Sequence, residues 1–277
     1  MDLKLLHIFR NTPFGREMLL GSSYFCKKTG VSPVIYIPEY LKFLMYFEND
    51  VVQVDLDKSF LKAPGTAKEH AVDIVRSQGM PDPEFISPKQ FTASTLPDIP
   101  VNFNFMCCPR SITDMSSKIG LGYIGPKVRR IVQSAKFPVL IASSIYKEWT
   151  SITVMFGGSA NAVKALRLGL RIGELSGAPV DVFTQEGKKG RQYYEKEIDK
   201  AGLSNEMEEN VRKWHVFDSG RLSENLYHIP HGSLIVIGAY GHGVIKDIIF
   251  GSIMEKVQTI MPNNLLIVGP NYGVEMG

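Results

Sequence analysis

The stretch Gly238-Ala-Tyr-Gly-His-Gly-Val-Ile-Lys-Asp-Ile-Ile-Phe-Gly-Ser-Ile253 follows directly on the apolar run Ser233-Leu-Ile-Val-Ile237 and leads into a helical pattern opening with Glu255, Lys256 and Val257. A β-branched run that closes on glycine, with Gly-Ser at the next helix start, places a glycine-lined loop at the carboxyl edge of a buried strand. Parallel sheets bind ligands at that edge. Gly238 and Gly241 are read as positions of positive φ that let a ligand approach the backbone. Gly251 and Ser252 would set amide groups and a hydroxyl at the positive end of a helix, which suits phosphate.

Working outward, the pattern before this loop is β-α-β-α-β-α-β. Strands are expected at Ile152 to Phe156, Val180 to Thr184, Lys213 to Phe217 and Ser233 to Ile237, with helices at Asn161 to Leu175, Gln192 to Ala201 and Leu222 to Tyr227. A helix from Gly251 to about Ile260 and a last strand, Asn264 to Val268, complete a five-stranded parallel sheet with helices on both faces.

The first half opens in the same way. Leu3 to Phe9 reads as a strand, Phe14 to Lys28 as a helix stopped by Gly30, and Pro33 to Ile37 as a second strand. Beyond Pro38 the signal is poorer: an aromatic helical stretch at Tyr40 to Phe47, a strand at Val51 to Leu56, a helix at Thr66 to Gln78 and a fourth main strand at Val101 to Cys107. Pro126 to Ser134 then reads as a helix before the strand Phe137 to Ala142. Gly125-Pro126 aligns with Gly251-Ser252, and this supports an internal repeat of about 130 residues. Counting back from Gly125 puts Ile112 at the place of Gly238 and Met115 at that of Gly241. Gly120-Leu-Gly-Tyr-Ile-Gly125 matches a dinucleotide fingerprint in letters only, because no strand precedes it.

Gly238-x-x-Gly241, nine residues, then Gly251-Ser252 resembles the nucleotide loop of the universal stress protein family. The resemblance implies an α/β fold of two tandem doubly wound five-stranded domains of the adenine-nucleotide α-hydrolase type, 1–146 divergent and 147–277 with the glycine loop. It implies that Gly238, Gly241, Gly251, Ser252 and the amide of Ile253 meet ribose and phosphates, with Ile237 beside the adenine. Gly157 stands where the family pattern has an acidic residue that would bond the nucleotide. The implied ligand is ATP or a related adenine nucleotide, with Mg²⁺ as an optional companion. The implied partner is the other half of the same chain, through the strands Phe137 to Ala142 and Asn264 to Val268, and a further homodimer is compatible with this.

Composition sets the class. A chain of 277 residues has room for two domains, and a net charge of +3 with dispersed basic residues gives no footprint for nucleic acid. Cys26, Cys107 and Cys108 lack metal spacing and fit a reducing compartment, the adjacent pair reading as small apolar core residues. No apolar stretch approaches ~18 residues, so a cytoplasmic protein without a membrane span is expected.

Catalysis finds little support. The loop offers His242, Lys246 and Asp247, but His242 between glycines reads as an exposed loop residue, and no second carboxylate stands ready to hold Mg²⁺. His228 and His231 read as a helix-end pair, Tyr193 and Tyr194 as surface residues, Arg110 as a surface arginine able to meet an anion, and Ser159 as a helix cap. The expected function is a nucleotide-binding stress-response sensor with little or no catalysis. The alternative is a scaffold or interaction dimer that binds no nucleotide.

Overall fold

The computed structural model describes residues 3–88, 96–110, 112, 124–143, 145–187, 189–240 and 263–273. Its centre is a ten-stranded sheet assembled from two sets of five. The first half supplies β1 (Lys4–Ile8), β2 (Ser32–Tyr36), β5 (Glu84–Ile86), β7 (Phe105–Cys108) and β8 (Val139–Ile141). The second supplies β9 (Ser151–Met155), β10 (Val180–Gln185), β11 (Val211–Phe217), β12 (Ser233–Gly238) and β13 (Leu265–Val268). The sheet order is β11-β10-β9-β12-β13-β8-β7-β1-β2-β5. Counted in chain order, the main-sheet strands of each half therefore run 3-2-1-4-5.

In the ten-stranded sheet every pairing within a half is parallel, whereas β13 meets β8 antiparallel, with Leu266 opposite Leu140. The repeat expected from Gly125 and Gly251 is thus a repeat of topology, and the last strands of the halves pair as anticipated. The strands are apolar on both faces, as a sheet covered on two sides requires.

Helices α1 (Pro13–Thr29) and α4 (Ala160–Ser176) occupy equivalent places after the first strand of each half. Thr12 and Ser159 cap them, each accepting from the amide three residues on at 3.2 Å. Gly30 and Gly177 close them in the left-handed conformation, at φ 70° and 66°. Ser159 is therefore the cap that its sequence context suggests. Among the described residues the other α-helices are α2 (Pro64–Ser77), α3 (Pro126–Ser134), α5 (Arg191–Lys200), α6 (Ser204–Asn210) and α7 (Leu222–Asn225), of which α6 was not foreseen.

The aromatic stretch after Pro38 is corrected. Lys42–Phe47 is a strand, β3, paired antiparallel with β4 (Asp50–Asp55) across the two residues Glu48 and Asn49. Phe43, Met45 and Phe47 are buried on the alternating face, while Tyr40 is exposed. Alternation won over the helical spacing because β4 offered a β-branched partner at once. β6 (Asp98–Ile99) joins β3 in this separate three-stranded sheet. The fourth main strand also begins later than expected, at Phe105.

Candidate nucleotide site

In a 3-2-1-4-5 sheet the connections leave in opposite directions at the boundary between the first and fourth strands, and the crevice at their carboxyl ends is where such sheets take ligands. In the second half those strands are β9 and β12, paired with Met155 opposite Ile237. Counting on along both chains, Phe156 is level with Gly238 and Gly157 with Ala239. Three of the expected site residues, Gly157, Ile237 and Gly238, therefore come together at this edge. Gly241, Gly251, Ser252 and Ile253 lie outside the described residues, as do His242, Lys246, Asp247 and the helix expected from Gly251.

Gly238 is needed for a reason other than the one expected. It is the last residue of β12, and positive φ falls instead at Gly158 (71°) and at Tyr240 (58°). A Cβ on Gly238 would lie 2.3 Å from the carbonyl oxygen of Asn161 and 2.7 Å from the amide nitrogen of Ala162. The missing side chain lets the first turn of α4 press against the end of β12. Asn161 Nδ2 completes the contact by donating to the carbonyl of Ala239 at 2.5 Å. The result is a helix N-terminus held at the switch point, with its partial positive charge at the sheet edge.

Two aromatic residues close the neighbouring side, and they correct their reading as surface residues. The Tyr193 hydroxyl donates to the Gly158 carbonyl at 3.1 Å, and a Cβ on Gly158 would meet the Tyr193 ring at 2.6 Å. Tyr194 is buried. Its hydroxyl donates to Gln185 O and accepts from the Gly187 amide, both at 3.3 Å, while its ring meets Phe156 edge-on at 6.3 Å. Lys189 Nζ stands 3.8 Å above the Tyr193 ring. A tyrosine pair on a charged helix carries no signal of this role, since the contact depends on where the β10–α5 turn brings it. On the opposite side, the Tyr240 hydroxyl donates to the Arg129 carbonyl of α3 at 2.9 Å, so a helix of the first half walls the second half's site.

The first half fills the same edge differently. Phe9 N–H donates to Tyr36 O and Phe156 N–H to Phe183 O, each at 2.8 Å, so Phe9 matches Phe156 and Arg10 matches Gly157. The paired register of β1 and β7 runs up to His7 opposite Cys107, and counting on along both strands puts Pro109 level with Phe9. Pro109, rather than Ile112, is therefore the counterpart of Gly238, and Met115 lies outside the described residues. Arg10 and Arg110 are both partly buried, not ordinary surface arginines. Burial lowers both guanidinium groups, Arg110 to about 10.

The cysteines are buried and unpaired by disulfide, and burial pushes Cys107 up to about 12. The ring of His228 packs on Phe217 at 5.1 Å. Among the described residues no group of His, Cys, Asp and Glu is arranged to hold a metal, and no helix is long and apolar enough to cross a membrane. Two open clefts, of about 430 Å³ between α4 and α6 and about 460 Å³ beside α5 and β11, touch none of the expected site residues.

Comparison with known proteins agrees with this geometry. A universal stress protein of Synechocystis, Slr1230, is 25% identical over 153 residues, which is 51% of this chain and 50% of that protein. A universal stress protein from Archaeoglobus fulgidus superposes with a TM-score of 0.60 at 15% identity, over 96% of this chain and 98% of that one. The chain has the tandem universal-stress-protein fold. It spans about half the length of its curated relative. The cytoplasmic domain of a prokaryotic cation chloride cotransporter shares the same fold, with a TM-score of 0.51 at 10% identity over 96% of this chain and 95% of that one. No family model matches the sequence.

Proposed function

We propose that the second half of this universal-stress-type protein binds ATP or a related adenine nucleotide at the β9–β12 switch point, and that the chain acts as a cytoplasmic stress-response sensor or regulator. In this reading 1–146 and 147–277 are its two domains. The observation that carries it is the contact between Gly238 and the first turn of α4, where a Cβ would lie 2.3 Å from Asn161 O. A close helix approach of this kind places a positive helix end beside the strand terminus from which the glycine loop departs. Gly241, Gly251, Ser252 and the Ile253 amide are assigned to ribose and phosphates, Ile237 to the base, and Gly157 to the edge of the pocket. Mg²⁺, if it accompanies ATP, is held by the phosphates more than by the protein, since Gly157 supplies no carboxylate.

The second reading, a scaffold without nucleotide, is favoured by Tyr193, whose ring and hydroxyl already close over Gly158. Calorimetric titration of ATP and AMP into the wild type and a Gly251→Asp variant separates the two. Saturable binding near one nucleotide per chain, lost in the variant, is expected for the sensor. Absence of binding at millimolar nucleotide leaves the scaffold.

A further inference from the structure

The cleft of about 430 Å³ between α4 and α6 shares no residue with the expected nucleotide site. Its floor is apolar, since Leu168 and Leu203 line it and belong to the same buried core as Tyr272. Tyr272, a few residues past the end of β13 and 4% exposed, completes that floor. Its backbone amide donates to Gly269 O at 3.3 Å, whereas its hydroxyl has no hydrogen-bond partner among the described residues. The hydroxyl is nevertheless not sealed from solvent, so it opens on the cleft. Burial alone pushes it up to about 12. A polar group held in an apolar floor without a partner costs stability that a ligand reaching it would recover.

The two walls carry opposite charges. On α4, Arg167 and Arg171 stand one helical turn apart. Arg167 Nη2 donates to the Ala201 carbonyl and Arg171 Nη1 to Glu174 Oε2 at 2.7 Å, which leaves each guanidinium most of its N–H groups. The Arg171–Glu174 pair is well exposed and therefore weakly held. On α6, the half-buried Glu206 lines the same cleft, and its carboxylate has no ion pair or hydrogen bond among the described residues. An apolar anion would leave Glu206 unpaired beside it, and an apolar cation would face two guanidinium groups. A ligand bearing both charges satisfies both walls.

We propose that this cleft is a binding site for a small zwitterion of amino-acid size with a large apolar side chain. The apolar group lies on Leu168, Leu203 and the Tyr272 ring, the carboxylate takes donors from Arg167, Arg171 and the Tyr272 hydroxyl, and the ammonium meets Glu206. The volume suits a ligand of that size, standing in the lower part of the range of small-molecule pockets, roughly 300–1,000 Å³.

L-Phenylalanine, 3-phenylpropionate and phenethylamine are the probes, each titrated calorimetrically into the full chain. L-Phenylalanine is expected to bind saturably at millimolar concentration or below, about tenfold tighter than either one-charge analogue. Tyr272→Phe removes only the hydroxyl and is expected to weaken L-phenylalanine about three- to tenfold while leaving phenethylamine unchanged. Glu206→Gln is expected to weaken L-phenylalanine and phenethylamine about tenfold and to spare 3-phenylpropionate. A shift common to all three ligands would reduce either residue to a structural role and overturn the assignment. No saturable heat with L-phenylalanine, or a one-charge analogue that binds the wild type equally well, would overturn it even if a variant does not fold. So would L-phenylalanine binding that ignores both substitutions.

Discussion

At the scale of single residues, His7 shows how the core responds to pH. It sits in β1, 2% exposed, with Nδ1 sharing a 2.9 Å hydrogen bond with Ser22 Oγ. Cys107 is its register partner. Burial drives the imidazole from 6.5 to about 3, so the folded protein holds it neutral while the unfolded chain protonates it. The unfolded state therefore binds the extra proton between about 6.5 and 3, and this contribution to stability is complete above pH 6.5 and falls as pH drops through that window. The expected slope is ~1.4 kcal/mol per pH unit. Urea unfolding at pH 7, 6, 5 and 4 should show it, and His7→Gln should flatten the decline above the carboxylate range. An equal slope in both proteins would remove His7 as its source. Leu3 to Phe9 reads from sequence as a buried strand, but nothing there singled out His7, because its partner Ser22 lies on α1 and is set against it only by the fold.

Among elements, the β3–β4 hairpin is held to α3 by charge. Asp50 accepts from Arg130 Nε at 2.9 Å and Nη2 at 2.5 Å, and from Ser134 Oγ at 2.8 Å. Lys127 reaches Asp55 at 3.4 Å, and Lys136 reaches Glu48 at 2.5 Å. The hydrogen bonds from Arg130 and Ser134 draw the Asp50 carboxyl down to about 2. A depressed carboxylate stabilises the fold above its unfolded value near 3.8, and that share is lost as pH falls towards 2. Solvent reaches the pair, so Asp50→Asn should cost only about 0.5–1 kcal/mol at pH 7 by urea unfolding, and the gap to wild type should narrow below the unfolded carboxyl value and close only once pH falls below the folded value of about 2. A gap of undiminished size across that window would assign the loss to packing instead.

The hairpin also marks where the sequence stopped being legible. Helices α1, α2, α3 and α4 and most main-sheet strands could be read from periodicity, caps and glycine stops, since each of these signals is local. Tyr40 to Phe47 satisfied a helical spacing as well as a strand alternation, and the choice was made by β4 and the buried face beneath it. At the site, the sequence marked Gly157, Ile237 and Gly238, but the steric role of Gly238 depends on Asn161, far away in the chain. Tyr193 became meaningful only once the β10–α5 turn carried it over Gly158, and Arg10 only once the fold set it against Asp57.

For the whole molecule, the joint between the halves decides whether they unfold together. β8 and β13 alternate so that Val139, Ile141, Leu265 and Ile267 enter the core on one face of the sheet, while Leu140, Ala142, Leu266 and Val268 enter the core on the other. Both cores therefore run through the antiparallel junction without a break. Further ties cross it: Ser143 N–H donates to Asn264 Oδ1 at 2.7 Å, and Tyr24 Oη donates to Trp149 O at 2.9 Å. Gly269 has no room for a Cβ against the α3 carbonyl of Val132. Strands that would be aggregation-prone edges in either half alone are each other's cover.

Such continuity predicts one cooperative transition in wild type, with Trp fluorescence and far-UV circular dichroism coincident, since both tryptophans lie in the second half while the dichroism reports on the whole sheet. Leu140 and Leu266 are directly opposed and almost fully buried. Leu140→Ala and Leu266→Ala should each cost about 2–4 kcal/mol, with a coupling of roughly 0.2–1 kcal/mol in the double-mutant cycle. In the double variant the two probes should part, because the weakened junction no longer forces the halves to melt as one. If they stay coincident, the contacts from Tyr24, Ser143 and Gly269 hold the halves together without the leucine pair.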